Sequence, residues 1–309
     1  MSNVAETAAN SERPRRRPAA GWLAWGPAVC LPLAVLAVVP DSWPAWAEMW
    51  ALSVGIFCGC KWLTWQAADR SGVAWSRQAA YFLAWPGLDA AGFFTTQPAE
   101  SSVDRPSPSE WLAAALKTLI GCVLFFAVPR LLPADSPILR GWVGMIGIVM
   151  ALHFGAFHLL SCAWRTAGVC APPLMDRPLL SVSLSEFWGR RWNTAFRDLT
   201  HRFLFRPLLP KTGAAVALSV GFLFSGLVHD LVISLPARGG YGTPTLYFVM
   251  QGAGVLGERS RLGRRIGLGS GYRGWLFTCL MLLVPVKLLF HDDCVQRVIL
   301  PFMQVLGAV

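Results

Sequence analysis

Charge is scarce in this chain. Only 14% of its 309 residues are Asp, Glu, Lys or Arg, while 54% are hydrophobic. Soluble domains carry about 25% charged residues, so an ordinary soluble fold is excluded. Histidine is scarce too, with five copies, and each can be weighed singly. Several chemical signatures are missing. No G-x-S-x-G elbow is present, and Arg238-Gly-Gly-Tyr-Gly242 lacks the Gly-Lys-Ser/Thr ending of a phosphate loop. Gly267-Leu-Gly-Ser-Gly-Tyr-Arg-Gly274 has no strand before it and reads as a connection. Eight cysteines are available, but Cys58-Gly-Cys60 lacks the two-residue spacing of redox or zinc pairs. His153 and His158 are five apart, off the i, i+4 face of helical metal pairs, and read as packing or inter-helix polar contacts. No metal site, no structural disulfide and no internal repeat are expected.

What the chain has is apolar length. Candidate membrane spans lie at about 22–39, 44–65, 110–128, 140–162, 212–235, 244–257 and 274–290, judged against the roughly 20 residues that cross a bilayer. Shorter apolar pieces at 79–88 and 294–306 bring the expected count to 7–9 segments. Trp22, Trp25, Trp43, Trp46, Trp62, Trp65, Trp111, Trp142, Trp164 and Trp275 fall near the predicted ends, where amphipathic rings prefer the interface. The net charge of +10 is concentrated in the N-terminal tail, in the loops 66–109 and 165–211, and in 258–273. Basic loops alternate with near-neutral ones, the pattern of a cytosolic N-terminus. That distribution encodes orientation and argues against a nucleic-acid partner. Ala45-Trp-Ala47 after an apolar run imitates a signal-peptide cleavage site, but the run is long and further spans follow, so an uncleaved anchor is expected. Residues 1–20 read as a disordered basic tail, 96–109 as a flexible Pro/Ser loop, and 21–309 as one membrane-embedded domain.

Two segments hold candidate chemistry. Ser183-x-x-Glu186 is a capping-box pattern ahead of an amphipathic stretch running to 206. Trp192, Phe196, Leu199 and Phe203 mark its apolar face; Glu186, Arg190, Asn193 and Arg197 mark the polar one. Glu186 and Arg190, four apart, are expected to pair. Periodicity favours an interfacial helix with cations toward the headgroups; the alternative keeps that geometry and turns Asn193 toward a reaction chamber. The second segment, Phe224-Ser-Gly-Leu-Val-His-Asp230, buries a histidine in a membrane-length run. An ionisable group there is a functional candidate by default. A buried imidazole is mainly neutral and competent as a general base, although a structural histidine bonded to a neighbouring helix fits as well. Ser225 and Gly226 share its helical face, and Gly226 leaves room for a helix contact or a substrate. Asp230 adjoins His229, but consecutive helix residues point about 100° apart.

Phe187-Trp-Gly-Arg-Arg-Trp-Asn193, followed 36 residues later by His229 within Phe224-Ser-Gly-Leu-Val-His-Asp230, resembles the wax synthase-like branch of the membrane-bound O-acyltransferase superfamily. Tyr81-Phe-Leu-Ala-Trp-Pro-Gly-Leu-Asp89 and the stretch from Phe290 to Phe302 are similar to other parts of that branch. Asp230 departs from it, because Glu often follows the histidine in relatives. The resemblance implies an all-helical, polytopic transmembrane bundle with an amphipathic, re-entrant cytosolic helix. It also implies transfer of an acyl group from acyl-CoA, a co-substrate and not a cofactor, to a hydroxyl acceptor. His229 takes the place of the general base and Asn193 that of its partner. Trp188, Arg190, Arg191, Trp192, Arg197, Ser225 and Gly226 form the expected substrate-binding set. Arg190, Arg191, Arg197 and Arg202 are candidates for the phosphates of coenzyme A, or serve topology alone. A long-chain fatty alcohol, giving a wax ester, is the first acceptor expected; diacylglycerol, a sterol and a hydroxylated secondary metabolite are the alternatives. The expected setting is a bacterial inner membrane, with lipid, acyl-CoA and a hydrophobic alcohol as partners.

The resemblance carries a geometric demand. If span 212–235 starts at the cytosolic face, His229 lies about 25 Å deep at 1.5 Å per residue, while Asn193 stays near the surface. The Asn193 helix must dip inward, or the span must begin below the interface. A different class, a proton-coupled small-molecule transporter with His229 and Asp230 as relay, would require inverted repeats or broken helices in matching halves.

Overall fold

The computed structural model describes residues 22–40, 42–95 and 105–309, whose regular elements are all helices, with no strand among them. The tail 1–20 and most of the loop 96–109 lie outside the described residues. Helix α1 (Gly26–Val38) packs on α2 (Ala45–Gln66), and Gly59 is the contact point, since a Cβ there would lie 2.4 Å from the Ala28 Cα. The next stretch, α3 (Trp75–Leu83) and the short α4 (Ala90–Phe94), wraps around one residue of α2. Lys61, 1% exposed, donates from Nζ to the carbonyls of Tyr81, Trp85 and Gly87 at 2.7, 2.5 and 2.6 Å. A chain turning through 84–89 leaves carbonyls without helical partners, and a buried ammonium satisfies three at once. The apolar piece 79–88 is thus a collar around a cation.

Helices α5 (Pro108–Leu131) and α6 (Pro137–Thr166) pack closely through glycines: Cβ atoms on Gly121 and Gly155 would meet Ala151 and Thr118 backbone within 2.8 Å. Their polar ends are tied by Glu110, which takes Arg165 bidentately at 2.6 and 2.9 Å and His158 Nε2 at 2.9 Å. His158 is therefore an inter-helix contact, as its spacing suggested. After a loop come α7 (184–191), α8 (Thr194–Ala237), α9 (Thr243–Arg259), the short α10 (Arg261–Ile266), α11 (Gly271–Leu289) and α12 (292–305). The main core gathers Leu63, Tyr81, Trp85, Phe93 and Leu199.

Four of these helices, α5, α6, α8 and α11, are long and apolar enough to cross a bilayer. Leu23–Val38 is apolar but shorter; α2 has 22 residues but carries Glu48 and Lys61; α9 has 17.

Candidate active site

The amphipathic stretch 183–206 is not one helix. Ser183 Oγ accepts the N–H of Glu186 at 3.0 Å, as the capping pattern requires. Beyond Glu186 the helix widens to a π turn over Phe187–Arg191, so residues five apart meet. Glu186 accordingly pairs with Arg191 at 2.7 Å instead of Arg190. The Val182 N–H and then Arg191 hold the Glu186 carboxyl below its usual range. The helix stops at Trp192, which is extended, and at Asn193, which adopts φ 42° and ψ 61°. Asparagine is one of few residues that visit this left-handed region readily. Its Oδ1 accepts the Phe196 N–H at 3.2 Å and starts α8, and its own N–H points to Met175 Sδ at 3.1 Å. With Oδ1 held by the cap, the amide Nδ2 is fixed in direction and makes no hydrogen bond to a described residue.

Helix α8 is itself broken. Gly213 has φ 80° and ψ 168°, a combination open essentially to glycine alone. It divides α8 into a first arm, 194–212, and a second, 214–237. The arms turn back on each other: the Phe196 ring stacks on Phe224 at 6.1 Å and 9°. Between them lies a cavity of about 470 Å³, within the range of small-molecule sites. From the first arm it is lined by Asn193, Phe196, Arg197, Thr200, His201 and Phe205; from the second by Ala217, Leu218, Gly221, Phe222, Ser225 and His229. Ser185, Trp188, Gly189 and Trp192 close one side, with Phe248, Val255 and Arg259 of α9. Asn193 and His229 therefore share one chamber at the ends of the arms remote from Gly213.

His229 Nδ1 lies 2.7 Å from the Ser225 carbonyl oxygen. A carbonyl only accepts, so Nδ1 carries the hydrogen and the neutral ring keeps its lone pair on Nε2. The ring reaches the serine's carbonyl, not its hydroxyl. Phe248 packs on the imidazole with centroids 4.4 Å apart. Trp188 in turn packs on Phe248 at 5.5 Å, and its Nε1 donates to Gln251, which donates to the Met281 carbonyl.

The other expected residues separate into two groups. Trp188, Trp192, Arg197 and Ser225 line the cavity. Arg197 Nε sits 2.9 Å from Asp198 Oδ1, close enough for an ion pair but without hydrogen-bond alignment. Arg190 is exposed outside the lining, Arg191 is engaged by Glu186 and the Asp176 carbonyl, and Arg202 donates to the Ala67 carbonyl. Gly226 serves a helix contact: a Cβ there would lie 2.7 Å from the Thr245 Cα, and the glycine does not line the cavity. Asp230 faces away from the chamber chemistry. It accepts from Ser234 Oγ at 2.9 Å, Gly242 N at 2.8 Å, Thr245 N at 3.0 Å and the Thr245 hydroxyl, anchoring the start of α9.

Residues that no sequence motif marks complete the site. Buried Glu258 accepts the N–H groups of Leu184 and Ser185, each at 2.8 Å, and so caps α7 from α9. Its neighbour Arg259 donates to Ser185 Oγ at 2.8 Å on the cavity wall. Both stand in a basic helix end that local pattern assigns to topology. Glu110, His158 and Cys162 also bring ligand-type atoms within 4.8 Å of one another, but Arg165 holds both Glu110 oxygens.

Residues 171–250, which include both Asn193 and His229, match the Membrane bound O-acyl transferase family. The chain is 34% identical over 92 residues to probable long-chain-alcohol O-fatty-acyltransferase 9 of Arabidopsis thaliana, 26% of each chain. It is 35% identical over 77 residues to long-chain-alcohol O-fatty-acyltransferase of Simmondsia chinensis, 22% of each. A third similarity, 31% over 73 residues and 21% of each chain, is to acyl-CoA–sterol O-acyltransferase 1 of Arabidopsis thaliana. The matched stretches span about a quarter of the length of these relatives. The segment 171–250, which supplies most of the chamber's lining, is thus similar to membrane-bound O-acyltransferases, and the named relatives are long-chain-alcohol and sterol O-acyltransferases.

Proposed function

We propose that the protein moves an acyl group from acyl-CoA to a hydroxyl acceptor inside the membrane. The observation that carries this reading is the chamber shared by Asn193 and a His229 whose Nε2 lone pair is free. An alcohol becomes a competent nucleophile when a base removes its proton as the new bond forms, worth about 10²–10⁴-fold. His229 Nε2 takes that proton while the alcohol oxygen bonds to the thioester carbon. The C–S bond then breaks, and the departing thiolate takes the proton from Nε2. The Asn193 Nδ2 donates to the oxyanion that develops on the acyl carbon. Aromatic walls exclude water that would hydrolyse the thioester. Direct transfer proceeds with the chain's own side chains, without cofactor.

The acceptor proposed first is a long-chain fatty alcohol, in keeping with the names of the relatives; a sterol, diacylglycerol or a hydroxylated secondary metabolite comes next. The setting proposed is a bacterial inner membrane crossed 7–9 times by one domain over 21–309, with a cytosolic N-terminus and the first arm of α8 re-entrant from the cytosolic side. Arg197 and Arg259 are the cavity-wall cations available to the coenzyme A phosphates.

The test is purified protein in nanodiscs, with labelled acyl-CoA of several chain lengths against this acceptor panel. Ester should form with at least one acceptor, vanish in His229→Ala and fall about 10²–10³-fold in Asn193→Ala. Full turnover in either variant, on a confirmed substrate, would overturn the site. Solute uptake into sealed proteoliposomes without acyl-CoA consumption would instead establish transport.

A further inference from the structure

Once His229 accepts a proton it carries a positive charge in a chamber walled by Trp188, Phe222 and Phe248. Such a charge is costly where water is excluded unless a nearby group offsets it. The carboxylate next in sequence favours that charge only from a distance and does not touch the ring. Asp230 is engaged by Ser234, Gly242 and Thr245, and its direction from the helix differs from that of His229 by about 100°. The remaining titratable groups of the cavity are Arg197, His201 and Arg259, none of which favours a second cation beside it. Two features do touch the imidazole. The Ser225 carbonyl accepts from Nδ1 at 2.7 Å, and the Phe248 ring lies 4.4 Å away, tilted by 39°. An aromatic face within about 6 Å of a cation attracts it through the ring quadrupole, most strongly when both are desolvated. Phe248 is 4% exposed and packed against Trp188.

We propose that Phe248 is a positioning residue whose ring face, together with the Ser225 carbonyl, stabilises the imidazolium that His229 forms on taking the hydroxyl proton. The pair fills the place that a carboxylate holds in a Ser–His–Asp arrangement. The proposal rests on the acyl-transfer reading. In that step the alcohol O–H bond breaks, its proton goes to Nε2, the oxygen–acyl bond forms, and the thiolate released by C–S cleavage takes the proton back. The charge on His229 exists only between those two transfers. A group that stabilises it alone therefore acts on kcat and leaves KM nearly unchanged.

Fluorinated phenylalanines test this directly, because successive fluorines drain the ring quadrupole with little change in shape. The series is placed at position 248 of the full chain in nanodiscs and assayed with labelled acyl-CoA and an acceptor confirmed by the panel above. The kcat should fall stepwise with fluorine number, reaching about tenfold for the most fluorinated ring. KM and melting temperature should stay near those of the unmodified protein. Phe248→Tyr, which keeps an electron-rich face, should retain most of kcat, whereas Phe248→Leu should lose at least as much as the fluorinated limit. A flat kcat across the fluorine series, with His229→Ala inactive in the same assay, would reduce Phe248 to packing. Activity surviving in His229→Ala would remove the acyl-transfer base itself, a separate failure with a separate readout.

Discussion

Asn193 caps a helix with one atom and, on the acyl-transfer proposal, donates to the oxyanion with another, and substitution can separate the two. Its Oδ1 caps the first arm of α8 through the Phe196 N–H, and its backbone occupies the left-handed region at φ 42°. Its Nδ2 is the group assigned to the oxyanion. Asn193→Asp keeps the cap oxygen and a residue that tolerates positive φ, but replaces the donor by an acceptor. Asn193→Gly keeps the backbone freedom and loses a few tenths of a kcal/mol of capping. Asn193→Ala loses a cap worth about 1 kcal/mol and adds roughly 1–2 kcal/mol of left-handed strain. Thermal unfolding in detergent should therefore rank the parent and Asn193→Asp together, Asn193→Gly slightly lower, and Asn193→Ala about 2–3 kcal/mol lower. Activity should follow no such gradient. All three variants lack the donor, and each should lose about 10²–10³ in kcat, the usual loss for one oxyanion contact. Activity that tracked stability, with Asn193→Gly near parent turnover, would refute the donor role and leave Asn193 as a cap.

Three further outcomes can be checked. Lys61→Met leaves the carbonyls of Tyr81, Trp85 and Gly87 unpaired and should cost about 3 kcal/mol after the relief of ammonium burial, seen as a lower melting temperature; unchanged melting would contradict the collar. Asp230→Ala strips the start of α9 of its acceptor and should lose about 2–4 kcal/mol, with Asp230→Asn intermediate and the specific activity of the folded fraction largely kept; a large loss of kcat at full stability would return Asp230 to the chemistry. His291 caps α12 by accepting the Cys294 N–H on Nδ1, and burial pushes its pKa below the ordinary value. The unfolded chain then binds the proton more readily, so this stabilisation is present above the ordinary histidine range and is lost as pH falls through it. Melting temperature should decline from about pH 7 to 5, and His291→Asn, a non-titrating cap, should flatten that decline.

Much of this arrangement was legible in the chain, though not by one route. The apolar runs at 110–128, 140–162, 212–235 and 274–290 fall within or nearly within α5, α6, the second arm of α8 and α11, because burial length is written in consecutive residues. The capping pattern at Ser183 was equally local. The link between Asn193 and His229 came from resemblance, since periodicity treated Asn193 as one polar position on a continuous helix. That helix does not exist as drawn: a π turn, an extended Trp192 and a left-handed Asn193 interrupt it, and none leaves a mark in hydrophobic spacing. Glu258 and Arg259 act on Leu184 and Ser185 across more than 70 positions, and Lys61 meets its carbonyls on a later segment. Such partnerships are set by packing of distant elements and have no one-dimensional signature.

The fold-back at Gly213 makes the spacing of the two chamber residues a matter of helical phase. Asn193 precedes that glycine by 20 positions and His229 follows it by 16. Deleting one residue from either arm would rotate everything beyond it by about 100° and shift it by about 1.5 Å. A single deletion in 194–212 would swing Asn193 off the wall that His229 shares, with every chemical group still present. Length changes compatible with the chamber must come as near-whole turns of three or four residues, or as matched changes in both arms. The interval between these two side chains thus works like the teeth of two meshed gears, able to slip only by complete steps.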